Sequence, residues 1–228
     1  MDERYASNAR WFFHKRGPDI SALALLYLKA ETPIFLLLEP DNLDALPLIN
    51  EVLPQLPDKL YCFLSDGILE AMEKTYKVES KNRLLRMKWT RNEIDRFPVA
   101  NGPEPIRLNE GHERIIREFV PAVWLDSAML KCGYYYGYFE DGDLVSLGGT
   151  SLFSKTYGAA VIGSVGTRED HRRRGLAERI IMKLMRDLKG QVPYIGLNVL
   201  ADNEPAIQCY LKCGFEVCTE LWECVLSK

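Results

Sequence analysis

The densest chemistry in this 228-residue chain lies between Val165 and Lys189. Val165, Gly166 and Thr167 lead to Arg168 and His171, then to three consecutive arginines, Arg172, Arg173 and Arg174, and on to Gly175, Leu176 and Ala177. From Leu176 the apolar residues Ala177, Ile180, Ile181, Leu184, Met185 and Leu188 recur at the spacing of one helical face, until Gly190 and Pro193 end the pattern. An apolar run, Ala159 to Val165, comes before, so the spacing predicts a strand feeding a helix through a tight basic loop. Such a junction leaves the first N–H groups of the helix unpaired at the positive end of its dipole, which favours an anion. Gly175 lets that anion approach the backbone, and Ala177 keeps the next position small. Eight of the fifteen basic residues after position 103 fall on this loop and helix, where the backbone already favours a phosphate.

A second constellation follows a predicted strand, Tyr194 to Leu200. Asn203 is a good helix cap, Pro205 suits a first turn, Gly214 ends the helix, and Ala206, Ile207, Tyr210 and Leu211 form its expected buried face. Read from residues alone, Tyr210 is a packing residue whose hydroxyl needs a partner. Cys209, next to it, is a thiol with no histidine nearby in sequence to activate it as a nucleophile.

These two blocks resemble the GNAT superfamily of acyl-CoA-dependent N-acyltransferases. Arg172-Arg-Arg-Gly-Leu-Ala177 is similar to that family's phosphate-loop pattern of Gln or Arg, two residues of any type, Gly, one of any type, then Gly or Ala. Leu197 and Val199, with Asn203, Ala206, Tyr210, Lys212, Gly214 and Phe215, are similar to its second block. The lead-in of Val165 and Thr167, with a Gly-Tyr-Phe-Glu-Asp-Gly hairpin before it, resembles the glycine N-acyltransferase-like branch. The resemblance covers Pro105 to about Leu226.

It implies a mixed, mostly antiparallel sheet flanked by helices, and acetyl-CoA as co-substrate. The N–H groups of Arg173 to Ala177, Gly175 and Leu176 among them, would hold the pyrophosphate, with Arg172, Arg173 and Arg174 supplying charge. Backbone at Val165 and Thr167 would line the thioester, and the Val165 N–H would stabilise the oxyanion. Asn203 would cap its helix and touch the pantetheine, and Tyr210 would protonate the leaving thiolate. An attacking amine must lose a proton, which calls for a base. Val161 stands where the histone-acetylating relatives carry a carboxylate, leaving Glu140, Asp141, Asp126, Glu220, Glu223 or a water chain through Ser164. The implied activity is N-acetyltransfer to a primary amine of a small molecule or amino acid. A coenzyme-binding sensor without catalysis, and acetylation of a protein amine, are the rivals.

Around these motifs the sequence sets out elements that must position them. Tyr134 to Phe139 and Leu144 to Leu147 flank Glu140-Asp-Gly-Asp143, a strong hairpin signal. Tyr134, Tyr136 and Tyr138, with Trp124, either line an acceptor channel or pack in a core. Ile106 to Leu108 and the segment capped by Asn109, with Ile115, Ile116, Phe119 and Val120, open the second half. In the first half, apolar runs at Ile20 to Leu28, Ile34 to Leu38 and Leu60 to Leu64, periodic segments at Asn42 to Leu56 and Ile68 to Tyr76, and a basic strand at Lys81 to Trp89 predict an α/β unit. Glu79, Glu93 and Asp95 beside that strand favour a solvated face over a phosphate patch. The proline-rich stretch from Arg96 to Pro105 places a domain boundary, giving residues 1–103 and 104–228. The strand and helix order of the first unit suits a degenerate copy of the second. That unit would cap the acceptor or pair two chains as a homodimer.

Composition narrows the partners. The chain carries 29 basic and 32 acidic residues, a net charge of −3, so no global field draws it to nucleic acid or membrane phosphates. The longest apolar stretch is far short of the roughly 20 residues that span a bilayer. A charged start and six cysteines without zinc-like spacing lead to the expectation of a cytoplasmic protein with reduced thiols and no metal. Of the histidines, His14 and His112 carry no chemical signal, and His171 is notable only for lying beside the phosphate loop.

Overall fold

Residues 7–38, 45–90, 102–120, 125 and 127–228 are described by a computed structural model, apart from the side chains of Ser127, Ala128 and Cys132. Period-two alternation sets the first strands. In β2 (Asp19–Tyr27) Ala22, Ala24 and Leu26 face the core, and β1 (Ala9–Arg16) pairs with it across a turn at Gly17. β3 (Ile34–Leu38) runs antiparallel to β2. Helix α1 (Leu46–Val52) then crosses to β4 (Lys59–Leu64), which is parallel to β3. Helix α2 (Asp66–Met72) leads to the long β5 (Lys77–Trp89).

The second half opens with β6 (Ile106–Arg107), α3 (Glu113–Phe119) and α4 (Ser127–Cys132). The same order of elements then returns: β7 (Tyr135–Glu140), β8 (Asp143–Ser154), β9 (Ala159–Thr167), α5 (Leu176–Leu188), β10 (Tyr194–Leu200), α6 (Glu204–Lys212) and β11 (Phe215–Ser227). The hairpin between β7 and β8 turns at Asp141 and Gly142, both at positive φ. As in the first half, the first two pairings are antiparallel, the third is parallel, and a helix makes the crossover.

All eleven strands form one sheet in the order β1-β2-β3-β4-β11-β5-β10-β9-β8-β7-β6. At its centre the two repeats exchange their last strands: β11 pairs with β4 of the first half, and β5 pairs with β10 of the second. Cys224 and Leu226 of β11 accordingly complete the core under α1 and α2, and Met87 of β5 completes the core under α5 and α6. Helices α3 and α4 cover the other side of β8, where Leu144 and Leu147 face them while Val145 faces α5. The expected mixed, mostly antiparallel sheet flanked by helices is the observed architecture. Strands from before and after residue 103 pair directly in this sheet, β4 with β11, β11 with β5 and β5 with β10, so the two lengths of chain interleave in space. Most of the stretch from Arg96 to Pro105 lies outside the described residues, as do Trp124, Asp126, Glu93, Asp95 and Asn42.

Three details differ from the sequence reading. β1 has no counterpart there, because it is an edge strand whose Trp11 and Phe13 stay exposed between basic residues. Helix α2 ends at Met72, short of Tyr76, whose buried hydroxyl donates to Pro57 O at 2.6 Å. In α6 only Ile207 and Tyr210 are buried, and Leu211 is turned to the surface.

Candidate active site

The site begins where β9 parts from its neighbours. β9 pairs with β10 from Ala159 to Ile162 and no further. On the other side, Gly163 faces Gly149 and Gly166 faces Leu147, so Ser164 and Val165 together oppose the single residue Gly148. This is a β-bulge, and Ser164 takes a φ of 54° to make it. A Cβ on Gly148 would come within 2.9 Å of Ile180 and 3.3 Å of Val165, so the bulge has room only over a glycine. Ser146 Oγ donates to Gly166 O at 2.9 Å and lies 2.9 Å from Thr167 Oγ1, which fixes the end of the strand. The backbone from Gly163 to Thr167 is therefore held on one side and has no strand partner on the other.

The loop that follows curls around one point. After a single helical turn at Glu169–His171, Arg173 and Gly175 adopt left-handed conformations, with φ of 63° and 72°. Alternation of that kind turns successive N–H groups inward into an anion-binding nest. Gly175 is the N-cap of α5 and offers no side-chain cap, so the first turn of that 13-residue helix keeps its N–H groups free for a ligand. A Cβ at Gly175 would meet nothing within 4 Å, so glycine is there for its φ and for what approaches from outside.

Between β9, the loop, α5 and α6 lies a cavity of about 1000 Å³. It is lined by Val165, Thr167, Arg172, Arg173, Gly175, Leu176, Ala177, Asn203 and Tyr210, which unites nine of the ten residues singled out from sequence. The tenth, Arg174, turns away to grip both carboxylate oxygens of Glu140 on the β7–β8 hairpin. The same carboxylate lies 3.1 Å from His171 Nε2, while His171 Nδ1 lies 2.7 Å from Asp170. Arg168 and Asp143 add a further link of 3.4 Å. The hairpin thus clamps the loop, and Arg174, chiefly, holds the Glu140 carboxyl below the usual carboxylate range.

Opposite β9, Asn203 Oδ1 accepts from Ala206 N at 3.3 Å and caps α6. Tyr210 is 7% exposed, packs edge-on against Phe215, and lines the cavity. Burial, and then the neighbouring Cys209 and Cys213, push its pKa up, so it stays a protonated donor. Cys209 lines the same cavity, its thiol pKa lowered by a hydrogen bond with Cys213. The open space at Gly175, the uncapped helix start and the unpaired edge of β9 fit a ligand with a pyrophosphate and an extended, amide-bearing arm, as coenzyme A has. A second cavity, of about 670 Å³, shares Val165, Gly166, Thr167, Glu169 and Arg172 with the first and is walled by Arg114, Glu118 and Phe119 of α3.

The sequence model of the Acetyltransferase (GNAT) family matches residues 102–215, half of the chain. The chain belongs to this family. No curated protein matches it in sequence, but solved structures share its fold. A putative GNAT acetyltransferase from Novosphingobium aromaticivorans DSM 12444 aligns over 95% of this chain and 91% of its own, at 20% identity and a TM-score of 0.60. A Drosophila protein aligns over 96% and 79%, at 14% identity and a TM-score of 0.76. A tandem GNAT protein from the clavulanic acid biosynthesis pathway aligns over 97% and 83%, at 13% identity and a TM-score of 0.57.

Among the described residues of this GNAT chain, the candidate carboxylates Glu140, Asp141, Glu220 and Glu223 do not line the cavity, and Asp126 lies outside the described residues. Glu140 is committed to Arg174 and His171, Glu220 pairs with Arg83, and Glu223 accepts from Tyr61 and Asn82. Tyr134, Tyr136 and Tyr138 pack with the core around α5, where Tyr136 donates to Asp187 and Tyr138 to Pro103 O at 2.9 Å. Sequence reading missed the Glu140 clamp, Ser146 and Phe119, since each acts through a contact between distant segments. No described helix is long and apolar enough to cross a membrane.

Proposed function

We propose that this protein transfers an acyl group, most simply acetyl, directly from acetyl-CoA to a primary amine of a small molecule or amino acid, in the manner of the glycine N-acyltransferase-like branch. The observation that carries this reading is the parting of β9 from β10 after Ile162, over a cavity that ends at the Arg173–Ala177 nest on one side and Tyr210 on the other. When bound, the coenzyme supplies a thioester already activated towards amines.

The N–H groups of Arg173 to Ala177 hold the pyrophosphate, and Arg172 and Arg173 add charge, while Arg174 holds the loop. Backbone of Val165 and Thr167 bonds the pantetheine arm with Asn203 beside it, and the Val165 N–H donates to the carbonyl oxygen as it becomes an oxyanion. Tyr210 Oη gives its proton to the departing sulfur, and the proton that the attacking amine loses passes through water to restore it. The second cavity reaches the same backbone from the other side of β9 and provides a route for the amine. Residues 1–103 shape that approach or pair two copies of the chain, which we place in the cytoplasm.

One observation favours a coenzyme-binding regulator instead: among the described residues, none of the candidate carboxylates lines the cavity. Calorimetric titration of acetyl-CoA into wild type and Gly175→Asp, followed by a thiol-release screen of amines, tests the proposal. Binding lost in the variant, with turnover of an amine by wild type, supports an enzyme. Binding without turnover of any amine supports the regulator, and no binding by wild type overturns both.

A further inference from the structure

Among the described residues, Tyr135 Oη is the only buried side-chain oxygen or nitrogen without a hydrogen-bond partner. Such orphans are rare, because a hydroxyl taken out of water and left unpaired is destabilising. Tyr135 is 1% exposed, on the face of β7 covered by α3 and α4. It stands opposite Gly149 of β8, which stands opposite Gly163 of β9. A Cβ on Gly149 would collide with the tyrosine ring, so the ring lies across β8 through space that only glycine leaves open. The hydroxyl is thereby delivered to the bulge of β9. The polar side chain it meets is Ser164, with which it stops short of a hydrogen bond.

Ser164 is itself unusual. It is a non-glycine residue at a φ of 54°, a conformation that costs energy and persists where the surroundings impose it. It immediately precedes Val165, so the peptide between them carries the N–H assigned above to the oxyanion. An orphan hydroxyl, a glycine that makes way for it, and a strained serine converge on that one peptide, on the side away from the coenzyme cavity. A hydrogen bond unmade in the free protein and completed under load is binding energy held for the reacting state.

We propose that Tyr135 is a positioning residue for acyl transfer: its hydroxyl closes on Ser164 when a thioester carbonyl occupies the Val165 N–H, and so holds the bulge in register with the developing oxyanion. The inference rests on the function proposed above. Burial pushes the Tyr135 pKa up, so the group acts as a neutral donor and takes no part in proton transfer.

The test compares wild type, Tyr135→Phe, Ser164→Ala and the double variant, reading the affinities of acetyl-CoA and of free CoA by calorimetry beside kcat and Tm. Tyr135→Phe keeps the ring and removes an unpaired hydroxyl, so its Tm is expected to equal or exceed that of wild type. Free CoA is expected to bind it as before, because no carbonyl is present. Wild type is expected to bind acetyl-CoA more tightly than CoA and Tyr135→Phe to lose that difference, with kcat falling about tenfold, less than the loss of an oxyanion donor itself brings. Ser164→Ala is expected to repeat this, with the double variant no worse than either single one. Unchanged kcat and unchanged preference in Tyr135→Phe would overturn the proposal, as would equal losses for both ligands with a lowered Tm. A wild type that turns over while Tyr135→Phe matches it sinks this inference alone. A wild type that neither binds nor transfers sinks the parent reading, and this one with it.

Discussion

Gly175 combines a left-handed φ with empty space beyond its Cα, and the two properties separate under substitution. Gly175→Ala meets no neighbour but must hold φ near 72°, so a stability loss of about 1–2 kcal/mol is expected in thermal melts with coenzyme affinity only partly reduced. Gly175→Asp adds a carboxylate inside the anion nest, and calorimetry is expected to find no acetyl-CoA binding while circular dichroism stays native. Tyr210→Phe is the complementary case. The ring still packs on Phe215, so coenzyme affinity should hold, while steady-state kcat drops about tenfold; general acids often contribute more, but a thiol of pKa about 8.5 leaves without full protonation. Both residues were legible because motif spacing along one loop and one helix fixes their neighbours. Arg174 was not: beside Arg172 and Arg173 it reads as a third phosphate ligand, and only the fold brings Glu140 to it.

The clamp belongs to the β7–β8 hairpin as an element. Glu140 ties the hairpin tip to Arg174 and His171, and Asp143 ties it to Arg168, so the loop conformation is imposed partly from outside the loop. Glu140→Gln is expected to weaken acetyl-CoA several-fold in titrations and to leave the sheet intact. Its dependence on pH follows from the direction of the shift. A carboxyl whose folded pKa lies below its ordinary value of 4.5 contributes stability that is complete above that value. The contribution is lost as pH falls through the lowered pKa, so wild-type and Glu140→Gln melting curves should differ at neutral pH and converge in acid. The hairpin was legible from Asp141-Gly142 between alternating runs, and α5 from its apolar stripe. The edge strand β1 and the whole of β11 were not: Arg10, His14, Lys15 and the run from Glu216 to Glu220 follow exposure at a rim and at a bulge, not a buried face.

At the scale of the molecule the decisive feature is the exchange of β5 and β11. A cut at residue 103 looks permissible in sequence, and the family match at 102–215 falls almost wholly on one side of it. In the sheet the same cut removes β5, the antiparallel partner of β10 from Gly196 to Leu200 and of nearly all of β11. It also removes β4, the other neighbour of β11, so that strand would lose both partners at once. The core beneath α5 and α6 would lose Met87, which is fully buried, together with Leu85 and Trp89. Residues 104–228 alone are therefore expected to give no cooperative thermal transition and no acetyl-CoA binding, although every residue of the candidate site is present. Residues 77–228 keep β5 and should recover part of the transition, since β11 then lacks only β4. A fragment 104–228 that melts cooperatively and binds acetyl-CoA like the whole chain would show that the exchanged strands are dispensable. The expected result would mean that the first repeat, whose sequence between β3 and α1 reads Glu39-Pro-Asp-Asn-Leu-Asp44 where the second has its basic glycine loop, is retained because the site on the second cannot be held open without its strand.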